Sequence, residues 1–298
     1  MRVMITGATG FIGSHLLRAL LNEGCDVVAC ARNVKAVKQV LPEADTLALD
    51  FAAPCSAEQL AEQLNGFDTI INTVGIIAET RTQTFDQLHR DFPECLFRAC
   101  ELAGVRRVIQ ISALGAGPAA VSKYHVSKNA ADLLLKSLAL ESIIVKPSIV
   151  YGAGGKSTAF FRALAALPVH VLIDHGRQQL QLIHIDDLLV LLVKLTKVES
   201  LPWSEIEAVG PQPILFKDML ADYRNWLGFG QFCTVSIPWK IMLTAARFSG
   251  RLSVWLSADN LRMLQQDNIG DATQISALLG RAPVSFKTVL QNSPSTEA

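Results

Sequence analysis

Tyr124 and Lys128, in the run Tyr124-His125-Val126-Ser127-Lys128, have the types and the spacing to share one chemical task. If the segment is helical, a separation of four places both on one face, one turn apart. An ammonium beside a phenol favours the phenolate and lowers its pKa, so the tyrosine could exchange a proton with a hydroxyl or carbonyl oxygen. Ser112, expected at the carboxyl end of the preceding strand, could orient the same oxygen. The same spacing also occurs on solvated helix faces, so its weight comes from its position after the fifth expected strand.

A second candidate is made of backbone. Thr6-Gly7-Ala8-Thr9-Gly10-Phe11-Ile12-Gly13 lies between a β-branched run and a segment of helical period. Gly7 suits a tight turn, Gly10 lets N–H groups approach an anion, and Gly13 lets the helix pack closely on its strand. Unpaired amides and the positive end of the helix dipole then face the anion. The run predicts a dinucleotide pyrophosphate held at Gly7, Thr9, Gly10, Phe11, Ile12 and Gly13. The second strand ends in Ala29-Cys30-Ala31-Arg32-Asn33, without a carboxylate for a ribose 2′-hydroxyl. Arg32 could pair with a 2′-phosphate, so NADP (NADPH) is expected over NAD; the alternative is an arginine that only solvates the turn.

These groups need a scaffold, and the hydrophobic pattern provides one. Short runs at Val3–Thr6, Asp26–Ala31, Thr46–Asp50, Asp68–Thr73, Arg106–Ser112 and Ser142–Lys146 read as parallel strands. Phe11–Glu23, Ala57–Leu64, Thr84–Ala103 and Lys123–Leu140 read as crossover helices, with Phe11, His15, Ala19 and Leu20 on the packed stripe of the first. The expectation is an α/β fold, a doubly wound parallel sheet of the Rossmann type over residues 1–150. A smaller, mostly helical cap mixed with returning sheet elements follows over 151–298, with helices near Thr158–Ala166, Asp186–Lys197 and Phe216–Leu227.

Composition bounds the partners. Half of the residues are apolar and 18% are charged, which suits a buried core rather than a disordered arm. Lys plus Arg balance Asp plus Glu at 27 each, so no global field recruits nucleic acid, and a small-molecule substrate is expected instead. Cys25, Cys30, Cys55, Cys95, Cys100 and Cys233 form no C-x-x-C pair and are expected as reduced thiols. Arg2-Val3-Met4-Ile5 reads as a strand rather than a charged leader, and no long uncharged apolar run follows, so a cytoplasmic location is expected. The apolar stretch 237–256, with Lys240, Arg247 and Arg251 as its charges, reads as a cap over a cleft or as a peripheral membrane or partner contact. The segment 293–298 has a disordered-tail composition.

The glycine run, Asp50, Asn72-Thr73-Val74-Gly75, Ser112 and Y-x-x-x-K together resemble the short-chain dehydrogenase/reductase superfamily, in its extended and atypical branches, over roughly residues 1–210. The resemblance implies an NAD(P)-binding oxidoreductase acting on a carbonyl or hydroxyl compound. It places Asp50 and Phe51 near the adenine, Thr73, Val74 and Gly75 near the adenosine ribose, and Lys128 at the nicotinamide ribose. Tyr124 would be the acid/base. Lys146-Pro147-Ser148-Ile149-Val150-Tyr151-Gly152 is similar to the segment lining the nicotinamide, and Ile183-His184-Ile185-Asp186-Asp187 to a second-domain motif. Two positions depart: Asp91 stands where relatives often carry Asn, and Ala113 replaces a second hydroxyl. The same parts serve a nucleotide-sugar epimerase or dehydratase. Tyr223–Gly228 is loosely similar to bacterial relatives of the Rossmann-type accessory subunit of respiratory complex I, which implies a cofactor-binding scaffold as a further alternative.

Other motifs carry less. His170 and His175 fall in an expected loop, and His184 beside Asp186 and Asp187 reads as a structural hydrogen-bonding group, so no metal is expected. Gly152-Ala153-Gly154-Gly155-Lys156-Ser157 lacks the spacing of a triphosphate-binding loop and reads as a flexible loop near the substrate.

Overall fold

A computed structural model describes residues 1–248 and 258–293. The chain divides into two units, Met1–Lys146 with Leu189–Ile206, and Pro147–Leu188 with Glu207–Ala298.

The first unit is built on the central sheet. Its strands are β1 (Arg2–Thr6), β2 (Asp26–Ala31), β3 (Asp45–Ala48), β4 (Thr69–Asn72), β5 (Arg107–Ile111), β6 (Glu141–Pro147) and β7 (Glu205–Ala208), in the order β3-β2-β1-β4-β5-β6-β7. The pairs from β3 to β6 are parallel. Parallel strands covered on both faces read as near-continuous apolar runs, and β4 and β5 are buried at every residue. The order reverses between β1 and β4, where carboxyl-end loops diverge and open a crevice.

The helices α1 (Phe11–Asn22), α2 (Val34–Val40), α3 (Ala57–Leu64), α4 (Phe92–Leu102) and α5 (Lys123–Ser137) connect these strands. In α1 the buried row is Gly13, Leu16, Leu17 and Leu20; Phe11, His15 and Ala19, expected on that stripe, are only half-buried. The short α2 had no counterpart in the apolar pattern, yet Asn33 announces it by accepting a bond from the Ala36 N–H at 3.2 Å. The single helix expected over Thr84–Ala103 is instead a π-helical turn, Asp86–Asp91, running into α4. Pro93 explains the break, because it has no amide hydrogen to continue the ordinary ladder.

The expectation of six reduced cysteines is corrected at one pair, for Cys55 and Cys95 form a disulfide across 40 residues. Cys55 enters α3, Cys95 lies on α4, and the two Cα atoms are 6.1 Å apart, a distance a disulfide spans. Cys25, Cys30, Cys100 and Cys233 remain thiols, and burial pushes those of Cys30 and Cys100 upward. At the far end of β5, the fully buried Arg107 bonds both Glu141 oxygens and the carbonyls of Leu195, Val198 and Glu199.

The second unit has its own core, in which Phe286 meets Tyr151 at 5.2 Å and Tyr223 at 4.8 Å, both edge to face. His170, expected in a loop, lies on a strand, Val169–Ile173, paired in parallel with Cys233–Ile237. A helix covers Trp239–Phe248, and residues 249–256 of the stretch 237–256 lie outside the described residues, as do 257 and 294–298.

Candidate cofactor and proton-transfer site

Two loops meet at the β1/β4 reversal. Gly7 sits at φ +75°, and its carbonyl accepts from the Gly10 N–H at 2.8 Å. A Cβ on Gly13 would overlap the Gly7 carbonyl oxygen and stand 2.7 Å from Thr73 Oγ1. Thr73 donates to the Thr6 carbonyl at 2.7 Å, while Thr6 and the Val74 N–H both donate to Asn72 Oδ1. Asn72 donates onward to Gln110 Oε1 at 2.7 Å. This buried ladder locks β1, β4 and β5 in register beneath the crevice.

The start of α1 is open. Helices α2, α3 and α5 are capped by the side chains of Asn33, Ser56 and Ser122, whereas Gly10 supplies no side chain and no acid occupies the first turn of α1. Thr9 and Gly10 are exposed, and Phe11 and Ile12 half-buried. An uncapped helix start with positive dipole and nothing filling it fits a pyrophosphate. Asp50 accepts from the Ala52 N–H at 3.1 Å, and Phe51 is buried against Phe92 with ring centroids 4.8 Å apart. Arg32 is exposed at the end of β2, and the Gln83 amide oxygen, turned toward it, accepts from both terminal nitrogens at 2.8 and 3.2 Å.

The Tyr-Lys pair lies on the first turns of α5. Lys128 is 4% exposed, and its Nζ donates to the Ile111 carbonyl at 3.0 Å and the Val74 carbonyl at 3.2 Å, bridging the ends of β5 and β4. Two of its three protons are thereby used. Gly75 is exposed, and a Cβ there would stand 3.2 Å from Nζ, so the absent side chain leaves the ammonium approachable. Burial pulls Lys128 down to about 8, which still leaves it mostly charged at pH 7, and the Asp132 carboxylate opposes that shift. The phenol departs from the expected lowering: burial, and then the Asp132 charge, push Tyr124 up to about 12.

Two residues missed in the sequence complete the arrangement. His89 is fully buried on the π-helical turn, its Nε2 accepting from the Ile76 N–H at 3.0 Å. Its Nδ1 therefore carries the proton toward Ser127 Oγ at 3.0 Å, and Ser127 donates to the Tyr124 carbonyl at 2.8 Å. The ring meets Tyr124 edge to face at 5.3 Å and stacks on Phe85 at 5.3 Å. Burial first, then the Lys128 charge, hold His89 down at about 2, so it is neutral. Asp91 is exposed and paired with Arg90 at 2.8 Å, which makes His89, two residues earlier, the polar side chain of this turn that faces the site. The second, Asp132, lies one turn beyond Lys128 and accepts the Ser112 hydroxyl proton at 2.5 Å. The repeat of four from Tyr124 through Lys128 to Asp132 was the available signal.

Pro147, Ser148, Ile149 and Val150 belong to the second unit, where Ser148 donates to the Gln181 carbonyl at 2.6 Å and Val150 pairs with Ile183. His184 lies there too, 5.0 Å from the Tyr151 ring and 3.5 Å from Asp186. The loop before Lys156 leads directly into a helix, with Thr158 Oγ1 accepting from the Gly152 N–H at 3.0 Å. Among the described residues no three His, Cys, Asp or Glu side chains gather into a metal-binding group. No described helix is long and apolar enough to cross a membrane.

Ceramide reductase of Caulobacter vibrioides is 29% identical over 213 residues, covering 70% of this chain and 64% of that protein. The mitochondrial NADH-ubiquinone oxidoreductase 40 kDa subunit of Neurospora crassa is 21% identical over 90% of this chain and 71% of its own length. Among solved structures, UDP-glucuronic acid 4-epimerase from Bacillus cereus, in complex with UDP-glucuronic acid and NAD, superposes with a TM-score of 0.73 at 20% identity, covering 98% of this chain and 97% of that one. The fold is thus that of known NAD-binding epimerases. The family model for NAD dependent epimerase/dehydratase proteins matches residues 3–203, and the chain belongs to that family.

Proposed function

We propose that the chain is an NADP(H)-preferring oxidoreductase that interconverts a carbonyl and a hydroxyl on a small molecule. The observation that carries this reading is the buried Lys128, bridging β4 and β5 beside the Gly75 gap and one turn from Tyr124. Lys128 would anchor the nicotinamide ribose, and Tyr124 would give or take the substrate proton. Ser112 would orient the substrate oxygen. Gly7, Thr9, Gly10, Phe11, Ile12 and Gly13 would hold the pyrophosphate, with Asp50, Phe51, Thr73, Val74 and Gly75 along the adenosine half. Pro147, Ser148, Ile149 and Val150 are assigned to the nicotinamide by family resemblance alone. A bound nicotinamide supplies the two-electron chemistry that no side chain offers.

A phenol held near 12 is a proton donor at neutral pH, which suits carbonyl reduction, and the similarity to ceramide reductase supports the same direction. The absence of a carboxylate after β2 and the exposed Arg32 favour NADPH. The test is NADPH consumption with a long-chain aliphatic ketone and acetophenone as probes. Tyr124→Phe should bind NADPH as the wild type does and lose roughly 10²–10⁴-fold in rate; an unchanged rate contradicts the assignment.

A second reading is a cofactor-holding assembly protein, favoured by the 90% coverage in the match to the complex I subunit. It predicts NADPH that copurifies without consumption by any probe. The stretch 237–256 would then be its membrane or partner contact, read out by liposome flotation. A nucleotide-sugar epimerase, the third reading, would bind UDP-glucose in calorimetry.

A further inference from the structure

Ser112 follows directly on β5, and its one hydroxyl proton is already committed to Asp132 Oδ2 at 2.5 Å. A serine oxygen that donates its proton inward can offer only lone pairs outward. Asp132 is 1% exposed, and its Oδ1 has no hydrogen-bond partner among the described residues. An ionised carboxylate with one oxygen unbonded is costly to bury, whereas a carboxyl group could use the same site as donor.

The charges around it are defined on every side. From α5 come Lys128 and Tyr124, from β6 Lys146, and from β7 Glu205. Lys146 is held by Glu205 Oε1 at 2.6 Å, and Lys136 holds the other oxygen of Glu205 at 2.6 Å. Lys146 is thus largely spent on Glu205, and Lys128 on two carbonyls, so neither ammonium bonds Asp132 directly.

We propose that Asp132 is a positioning residue that sets the polarity of the Ser112 hydroxyl: as a carboxylate it keeps the Ser112 proton and lets Oγ accept from a substrate alcohol, and as a carboxyl it donates to Oγ and frees the Ser112 proton for a substrate carbonyl. The inference rests on the reading of Ser112 as the residue that orients the substrate oxygen. It adds a direction: the protonated site is built to receive a carbonyl, and the ionised site an alcohol. Burial is the main cause that lifts Asp132 to about 6, with the Ser112 bond and the charges of Lys128 and Lys146 acting against it, so both states lie within reach near neutrality.

The experiment is infrared difference spectroscopy of the full chain carrying ¹³C-labelled aspartate, titrated through neutral and mildly acidic pH. One buried carboxyl should titrate near pH 6 in the wild type and vanish in Asp132→Asn. In Ser112→Ala the carboxylate loses its donor, so the midpoint should rise by about one unit. A purely structural Asp132 would keep one protonation state throughout, and a missing midpoint, or one indifferent to Ser112→Ala, overturns the inference. Ser112→Ala keeps the test alive should Asp132→Asn fail to fold. NADPH fluorescence on the same samples separates the two claims. Binding without the midpoint shift defeats only the polarity inference, and a midpoint shift without NADPH binding defeats the functional reading.

Discussion

The starts of α1 and α5 answer opposite demands. At α1 the chain removes everything: Gly10 provides no cap, Gly13 no Cβ, and no acid stands in the first turn. At α5 it supplies partners: Ser122 caps the His125 N–H, Lys128 bonds two strand-end carbonyls, Asp132 accepts from Ser112, and His89 meets Ser127. An anion held by backbone amides needs empty space and an unspent dipole. A proton-transfer group needs neighbours that fix its orientation and its pKa. The contrast is between a site made by absence and a site made by partners.

The sharpest way to break the first half is Gly13→Ala. The added methyl overlaps the Gly7 carbonyl oxygen, which is backbone and has nowhere to move, so the turn must open. NADPH affinity should drop by roughly a hundredfold, about 2–3 kcal/mol, as read by calorimetry. The same substitution at Gly24, where a Cβ meets nothing within 4 Å, is the contrasting case, with strain from its φ of +72° but no effect on cofactor.

The second half is sharpened by acid. Asp132 holds its proton up to about pH 6 in the folded chain, against an ordinary 3.8, so the folded state binds the proton more tightly than the unfolded one. Its contribution is therefore most favourable below about pH 4 and declines as pH rises through 6. Denaturant melts of the wild type minus Asp132→Asn should show that decline, on the order of 2 kcal/mol. A flat difference would mean Asp132 titrates alike in both states.

The smallest effect concerns the rim. Arg32→Ala should cut the preference for NADPH over NADH by about tenfold, roughly 1.4 kcal/mol, and leave NADH affinity unchanged. Equal affinities in the wild type would assign Arg32 to its Gln83 contact alone.

The same contrast explains what could be read from the chain. The glycine turn and the sheet were legible because their determinants are local: β-branched runs, three glycines at fixed spacing, and a helical stripe beyond. The stripe itself was misplaced by about one residue: Gly13, Leu16, Leu17 and Leu20 are the buried row, and Gly13 lies where a Cβ would meet the Gly7 carbonyl oxygen, a tertiary approach that periodicity does not encode. The α5 site was half legible. Tyr124 and Lys128 share a helix, but His89 reaches them from a π-helical turn that runs into α4 just before Pro93, whereas the family resemblance singled out Asp91 on the same turn. The Cys55–Cys95 disulfide was hidden for the same reason: the packing of α3 against α4, and no sequence spacing, joins those two thiols.

Whether the open start of α1 holds a dinucleotide by its phosphates is decided by a crystal structure of the chain soaked with NADPH. Pyrophosphate oxygens should lie within hydrogen-bonding distance of the backbone N–H groups of Phe11 and Ile12. Phosphates bound away from the Gly7–Gly13 turn, or a turn that stays empty at saturating NADPH, would contradict it.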